Sequence, residues 1–220
     1  TKSYILSMPS IKTIKQRIKS VKNTSKITKA MEVVSATKMR KSQGFALWAR
    51  PYAVASLELL KNLLARTPVL PALLKTRPIR ISCLLVITSD KGLAGAFNGN
   101  VLKKANEWIM KKEKAGEQYT IVAVGKKAKE HFERRGHAIE GSFTGFGDYS
   151  TFEQTFPVAD ALIHGFVYEK WDLVEAIYTN FRSTLAQETA LKKILPATGE
   201  SIEEAVRGLL PERGRFSESK

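Results

Sequence analysis

The sequence is poor in several features that would settle its chemistry at once. It has a single cysteine, Cys83, in 220 residues, which excludes an internal disulfide framework and any cysteine-based zinc cluster. Its longest dense apolar run, Ile81-Ser-Cys-Leu-Leu-Val-Ile87, falls far short of the ~20 residues a membrane helix needs. No signal-peptide pattern of basic start, apolar centre and small-residue cleavage site is visible. No glycine occurs before Gly44, and Glu32 is the only acid in the first 41 residues. The histidines are only three, His131, His137 and His164, and they have neither metal-ligand spacing nor an adjacent carboxylate motif. No Gly-x-Ser-x-Gly elbow is present.

What is abundant is positive charge at one end. The 36 Lys and Arg against 21 Asp and Glu give +15. Residues 1–41 hold eleven of those bases, and with the lone Glu32 they account for +10 of the total. Such a block implies an acidic partner: nucleic acid, a membrane surface or an acidic protein face. The hydrophobic share of 43% and charged share of 26% are those of an ordinary globular protein.

From Pro9 to about Arg66 the spacing predicts a long helix. Pro9 and Ser10 suit its start, and Ile11, Ile14, Ile18 and Val21 recur in steps of three and four. Ile27, Met31 and Val34 continue after a slip of phase, and Phe45, Trp48, Tyr52, Ala55, Leu59 and Leu63 form a further stripe. Pro51 is a potential kink. A helix of that length, about 87 Å at 1.5 Å per residue, cannot bury its own stripe and needs a partner. A helical hairpin or bundle, a coiled-coil shaft and a basic DNA-reading helix all satisfy this pattern. The basic residues share the helix with the apolar stripe, unlike a basic zipper.

Arg77-Pro78 closes the helical part. Strands are then expected over 79–87, 119–125 and 172–182, and helices from Asn98, as cap, to Lys114, over 126–135 with Gly136 as stop, and over 152–170 with an interruption at Pro157. Strands alternating with helices predict an α/β fold, a Rossmann-like, mainly parallel sheet. The domain boundaries expected are 9–76 for the long helix, 77–196 for the α/β domain and 197–220 for a polar linker. Gly92-Leu-Ala-Gly95 stands where a phosphate loop would, between strand and helix. Its spacing nevertheless fits neither dinucleotide nor P-loop patterns. No acid follows the second strand, where Gly125-Lys-Lys stands. Asp90 reads as a turn former, and Cys83 as a buried strand residue. No catalytic, cofactor or metal site emerges.

The assembled residues resemble one family. Ile27-Thr-Lys-Ala-Met-Glu-Val-Val-Ser-Ala-Thr-Lys-Met-Arg40 is similar to the N-terminal helix signature of the γ subunit of F-type ATP synthase. Pro9–Ile18 before it and Arg50-Pro-Tyr52 after it fit as well. Ile87-Thr-Ser-Asp-Lys-Gly-Leu-Ala-Gly-Ala-Phe-Asn98 resembles the family's second hallmark, with Ala94 where Gly-Leu-Cys-Gly is usual. Val124–Lys127 and Ile194-Leu-Pro196 also match, so the resemblance runs from residue 9 to about 196.

The resemblance implies a long N-terminal helix paired with a C-terminal one in an antiparallel coiled coil, with a Rossmann-like domain between them. It implies a rotor that is not itself an enzyme and needs no cofactor. Its partners would be α and β subunits, an ε-type subunit and the membrane c-ring, without nucleic acid or a membrane span of its own. Its place would be peripheral, on the cytoplasmic face of a bacterial plasma membrane or the organellar equivalent. Lys29, Met31, Lys38, Arg40 and Lys41 are then expected as the face meeting β, Met31 matching the position close to an acidic β loop. Ile14, Ile18, Val21, Ile27, Val34, Trp48, Tyr52 and Leu59 are expected to pack the shaft. The family's C-terminal helix has no match before Lys220, which suggests a fragment of a longer chain. Uncovered Trp48, Tyr52 and Leu59 would then favour self-association. A nucleic-acid-binding basic helix and a nucleotide-dependent α/β enzyme are the alternatives.

Overall fold

The computed structural model describes residues 10–66, 68–147, 151–182 and 186–209. One helix, α1, runs without a break over Ile11–Arg66. Ser10 begins it as expected, its hydroxyl taking the Thr13 N–H at 3.3 Å. Pro9 lies outside the described residues. The helix passes through Pro51, and it ends ten residues before the boundary expected at 76. A short 3-10 turn at Ala72–Leu74 follows.

Two compact units emerge, Thr1–Ala46 and Leu47–Lys220. The last turns of α1 therefore belong to the second unit. The first unit is, among its described residues, helix alone.

The second unit is built on five strands: β1 Ile81–Ile87, β2 Gln118–Val124, β3 Ile139–Phe143, β4 Leu173–Phe181 and β5 Gln187–Leu195. Their order is β3-β2-β1-β4-β5. The first four are mutually parallel, and β5 joins β4 antiparallel at the edge. Helices α2 Phe97–Ala115, α3 Lys126–Glu133 and α4 Phe152–Val167 connect the parallel strands, the arrangement alternating strands and helices predict. Alternation along β1 feeds two cores. Leu84 and Val86 join Val101, Trp108 and Phe132 from α2 and α3. Cys83 and Leu85 join Leu162, Phe166 and Trp171 on the α4 side. At about 25 cal/mol per Å² of apolar area, these two layers supply the main driving force for the unit.

Three local expectations are corrected. Pro157 does not interrupt α4; only the bond to one carbonyl is lost, while Leu162 and Phe166 hold the helix on the sheet. Thr151 and Gln154 close its start with a reciprocal capping box. Asn98 does not cap α2, which begins after Ala96 without a side-chain cap. The linker expected from residue 197 is a helix, α5, over Gly199–Leu209. Its polar composition misleads because Ile202 is buried while Glu203 and Glu204 pair outward with Lys61 and Lys192. Residues 210–220 lie outside the described part. Gly136 does stop α3, in the left-handed region at φ 73.

Candidate functional site

The C-terminal edge of the parallel strands is where an open α/β sheet would bind a ligand, and here its loops are tied to one another. Thr88, just past β1, donates its N–H to Val124 O at 2.9 Å, and its hydroxyl oxygen takes the Ala128 N–H at 2.8 Å. Ser89 is held by Asn98, whose Oδ1 accepts the Ser89 N–H at 3.0 Å. This is the work Asn98 does in place of capping. Asp90 accepts the Lys126 N–H at 2.7 Å on one oxygen and the Gly145 N–H at 2.9 Å on the other. Its carboxylate thus joins the turns after β1, β2 and β3, one amide on each oxygen, as a turn former does. Arg50, from α1, donates to Phe181 O at the end of β4, at 3.4 Å. In the Gly92–Gly95 turn, Leu93 sits at φ 60 with its side chain 94% exposed. Sequence reading passed over it; an apolar residue between two glycines was the available signal.

Cys83 is wholly buried, and burial, then the charge of Glu140, pushes its thiol up to about 12, far from thiolate reactivity. Among the described residues no group of three or more His, Cys, Asp or Glu could hold a metal ion, and no helix is long and apolar enough to cross a membrane. A recess of 430 Å³ lined by Leu60, Leu73, Leu162, Ile163 and Ile194 among others is apolar throughout.

His131 is structural. Arg135 can only donate, so the 3.0 Å contact makes His131 Nδ1 the acceptor, and Nε2 donates to Asn106 Oδ1 at 3.1 Å. Burial first, then the charges of Arg135, Arg134 and His137, lowers its pKa from 6.5. A depressed histidine favours folding when neutral. Its contribution is therefore complete above the unfolded value of 6.5 and is lost as pH falls through the lower folded value. Urea midpoints should drop between pH 7.5 and pH 5, and His131→Gln should flatten that part of the profile. An unchanged slope in the variant would remove His131 from the account.

The first unit holds the residues expected to meet a partner. At 100° per residue, Lys29 and Arg40 fall within about 20° of each other. Met31 and Lys38 lie nearly opposite, and Lys41 stands between, at about 120° from Lys29. The helix does not bring these five to one face; it divides them between two sides. The apolar residues divide likewise. Ile14, Ile18 and Val21 share one side, while Ile27 and Val34 lie about 200–220° from Ile14. Trp48, Tyr52 and Leu59, in the second unit, do share a side, spanning about 40°. All eight expected shaft residues are exposed, and no residue of α1 is buried.

Comparison with known proteins agrees with this architecture. A family model described as ATP synthase matches residues 10–217. The ATP synthase gamma chain of Trichormus variabilis is 39% identical over 202 residues, covering 90% of this chain and 64% of that one. The gamma chain of Acaryochloris marina is 38% identical over 217 residues, covering 95% of this chain and 68% of that one. The chain thus spans about two thirds of the length of these relatives. A cryo-EM structure of the central stalk and c-ring of Tetrahymena thermophila mitochondrial ATP synthase contains a chain of similar fold. The TM-score is 0.59 at 21% identity, over 86% of this chain and 79% of that one.

Proposed function

The chain belongs to the ATP synthase γ-chain family, and we propose that it acts as the central-stalk rotor of an F1Fo ATP synthase. In that role it couples proton translocation through a membrane ring to ATP synthesis on β subunits by rotating, and is itself non-catalytic. Its partners are α and β subunits, an ε-type subunit and the c-ring. It sits peripherally on the cytoplasmic face of the membrane, or its organellar equivalent. The observation that carries this reading is α1, 56 residues long with none buried. A helix with so much uncovered apolar surface is stable only against partners.

Rotation asks for contacts that attract without fixing one angle, which exposed cations and adaptable side chains provide. In a three-fold ring, residues on opposite sides of the shaft each have a β subunit to meet. A helix paired in a shaft leaves only one of its sides to β, so the contact falls either to Lys29 with Arg40 or to Met31 with Lys38, with Lys41 between them. Purification of the complex from its source in mild detergent should recover the chain with stoichiometric α and β. Recovery alone, or with nucleic acid, would overturn the rotor reading in favour of the basic-helix alternative.

Met31→Lys gives a sharper test. Met31 is about half exposed, so folding stability should change by no more than about 0.5 kcal/mol. A new ammonium beside an acidic β loop would add an ion pair in one rotational dwell. If that pair is worth about 1.4 kcal/mol, the step leaving that dwell slows about tenfold. Proton pumping per ATP hydrolysed should fall while assembly persists. Unchanged coupling would remove Met31 from the β contact.

A further inference from the structure

The apolar recess of 430 Å³ lies wholly within the second unit. Four elements wall it: the end of α1, the 3-10 turn, α4 and the end of β5. Leu74, Leu162 and Leu195 in its lining are buried, whereas Ile163 and Ile194 are exposed, so it has an accessible rim above a closed base. Backbone polar groups of the walls are already engaged. The Ala197 N–H is spent on Leu73 O and the Leu74 N–H on Pro71 O, both at 2.9 Å, and Leu162 O accepts Trp171 Nε1 at 3.3 Å. Among the described residues, the lining contains no aromatic and no charged side chain.

Water gains little in such a space, and an apolar group that displaces it gains affinity. The lining narrows what that group is. An extended polypeptide would bring N–H and C=O groups that the engaged walls leave unsatisfied. Protein interface pockets draw most of their energy from Trp, Tyr and Arg, and the lining has none of them. An aromatic ligand would find no ring to stack on. An unbranched aliphatic chain meets none of these objections. The recess is nearly three times the ~150 Å³ that accommodates benzene, which gives room for one chain of about twelve to sixteen carbons but not for two. Lys75, directly after the 3-10 turn, is exposed and has no ion-pair partner among the described residues. We propose that the recess is a binding site for the acyl chain of a single-chain carboxylic acid, with the carboxylate at the rim near Lys75. The proposal goes beyond the rotor reading and does not rest on it, since the site involves the second unit alone.

The test uses the whole chain and saturated carboxylates of about eight to eighteen carbons, kept below micelle formation and followed by titration calorimetry. Affinity should rise about fourfold per methylene while the chain is being buried, then level off once the recess is full. Because α1 also exposes apolar side chains, the location needs its own readout. A spin-labelled dodecanoate should broaden the methyl signals of Ile163 and Ile194 before those of Ile14 and Ile18. Ala159 lines the recess from the exposed side of α4. Ala159→Phe should take the place of two or more methylenes and weaken dodecanoate at least about tenfold, with the thermal midpoint kept. Lys75→Gln should weaken dodecanoate about threefold and leave dodecanol unchanged. Broadening confined to the α1 isoleucines, affinity that rises with length without a plateau, or full-strength binding by Ala159→Phe would each overturn the proposal. So would tighter binding of phospholipid vesicles or of a leucine-rich helical peptide than of dodecanoate. An equal response of dodecanoate and dodecanol to Lys75→Gln would overturn the assignment of the carboxylate.

Discussion

Gly125→Ala is expected to cost the second unit about 3–4 kcal/mol, a large share of the stability of an ordinary domain. Gly125 follows β2 at φ 88, and a Cβ placed there would lie 2.2 Å from Thr88 O and 2.9 Å from Thr88 Oγ1. Two costs therefore combine. The backbone conformation alone, φ 88 with ψ 144, lies in a region adopted almost only by glycine and costs an L-residue about 1–3 kcal/mol. The overlap is with backbone, which cannot turn aside as a side-chain end can. Relief requires separating Thr88 from Val124 and Ala128, and so opening the seam between β1, β2 and α3. Gly136→Ala separates the two costs, because Gly136 has φ 73 and nothing within 4 Å of its added Cβ. It should lose only the conformational part. Denaturant titration of both variants would read the difference, and equal losses would mean that the approach of Thr88 contributes nothing.

That close approach also weighs against the nucleotide-site reading of the strand edge. Where a dinucleotide fold leaves room over its first turn, this chain brings Thr88, Gly125 and Ala128 together and spends the Asp90 carboxylate on two amides of other turns. The spacing of Gly92 and Gly95 already disagreed with a phosphate loop. What the sequence could not reveal was that Asp90 meets Lys126 and Gly145, since neither separation follows from a local pattern.

The legibility of the fold follows the same division between local and distant causes. α1 was readable because three-four steps persist over many turns and no glycine intervenes before Gly44. β1 and β2 were readable because strands covered on both faces are apolar nearly throughout. β3 and β5 escaped notice because they are edge strands. Ile139-Glu-Gly-Ser-Phe143 has apolar residues only at its ends. Gln187-Glu-Thr-Ala-Leu-Lys-Lys-Ile-Leu195 carries the charges that protect an exposed edge from pairing with another chain. α5 was hidden by its acids, since its apolar positions matter only once β5 is beneath them. The residue on which the entry to the sheet depends is illegible for the same reason, since nothing local to Asp172 marks it as more than the start of a strand.

Asp172→Ala should destabilise the second unit by about 3–5 kcal/mol, the range for breaking a buried pair by removing one partner. Asp172 is 1% exposed. One carboxylate oxygen pairs with Arg77 Nε at 2.6 Å and with Arg80 Nη2 at 3.4 Å; the other accepts the N–H groups of Arg80 and Ile81 at 2.9 and 3.2 Å. Arg77 also donates to Phe166 O at 2.8 Å and lies 4.3 Å from the centre of the Phe166 ring. One carboxylate thus anchors the start of β1, the start of β4 and the end of α4. Burial alone would raise its pKa, but the donors from Arg80, Ile81 and Arg77 outweigh it and hold the group at about 2, below the ordinary 3.8. A depressed carboxylate stabilises the fold fully above its unfolded value and loses that contribution as pH falls through the folded one. The difference in unfolding free energy between wild type and Asp172→Asn should therefore be full at pH 6 and shrink by about 2 kcal/mol between pH 4 and pH 2. Replacing both partners, as in Arg77→Met with Asp172→Ala, should cost less than the two single changes added together, because it leaves no orphaned charge. A strictly additive pair, or a gap between wild type and Asp172→Asn that does not respond to acid, would show that packing around Arg77, and not its ion pair, holds the two strands in place.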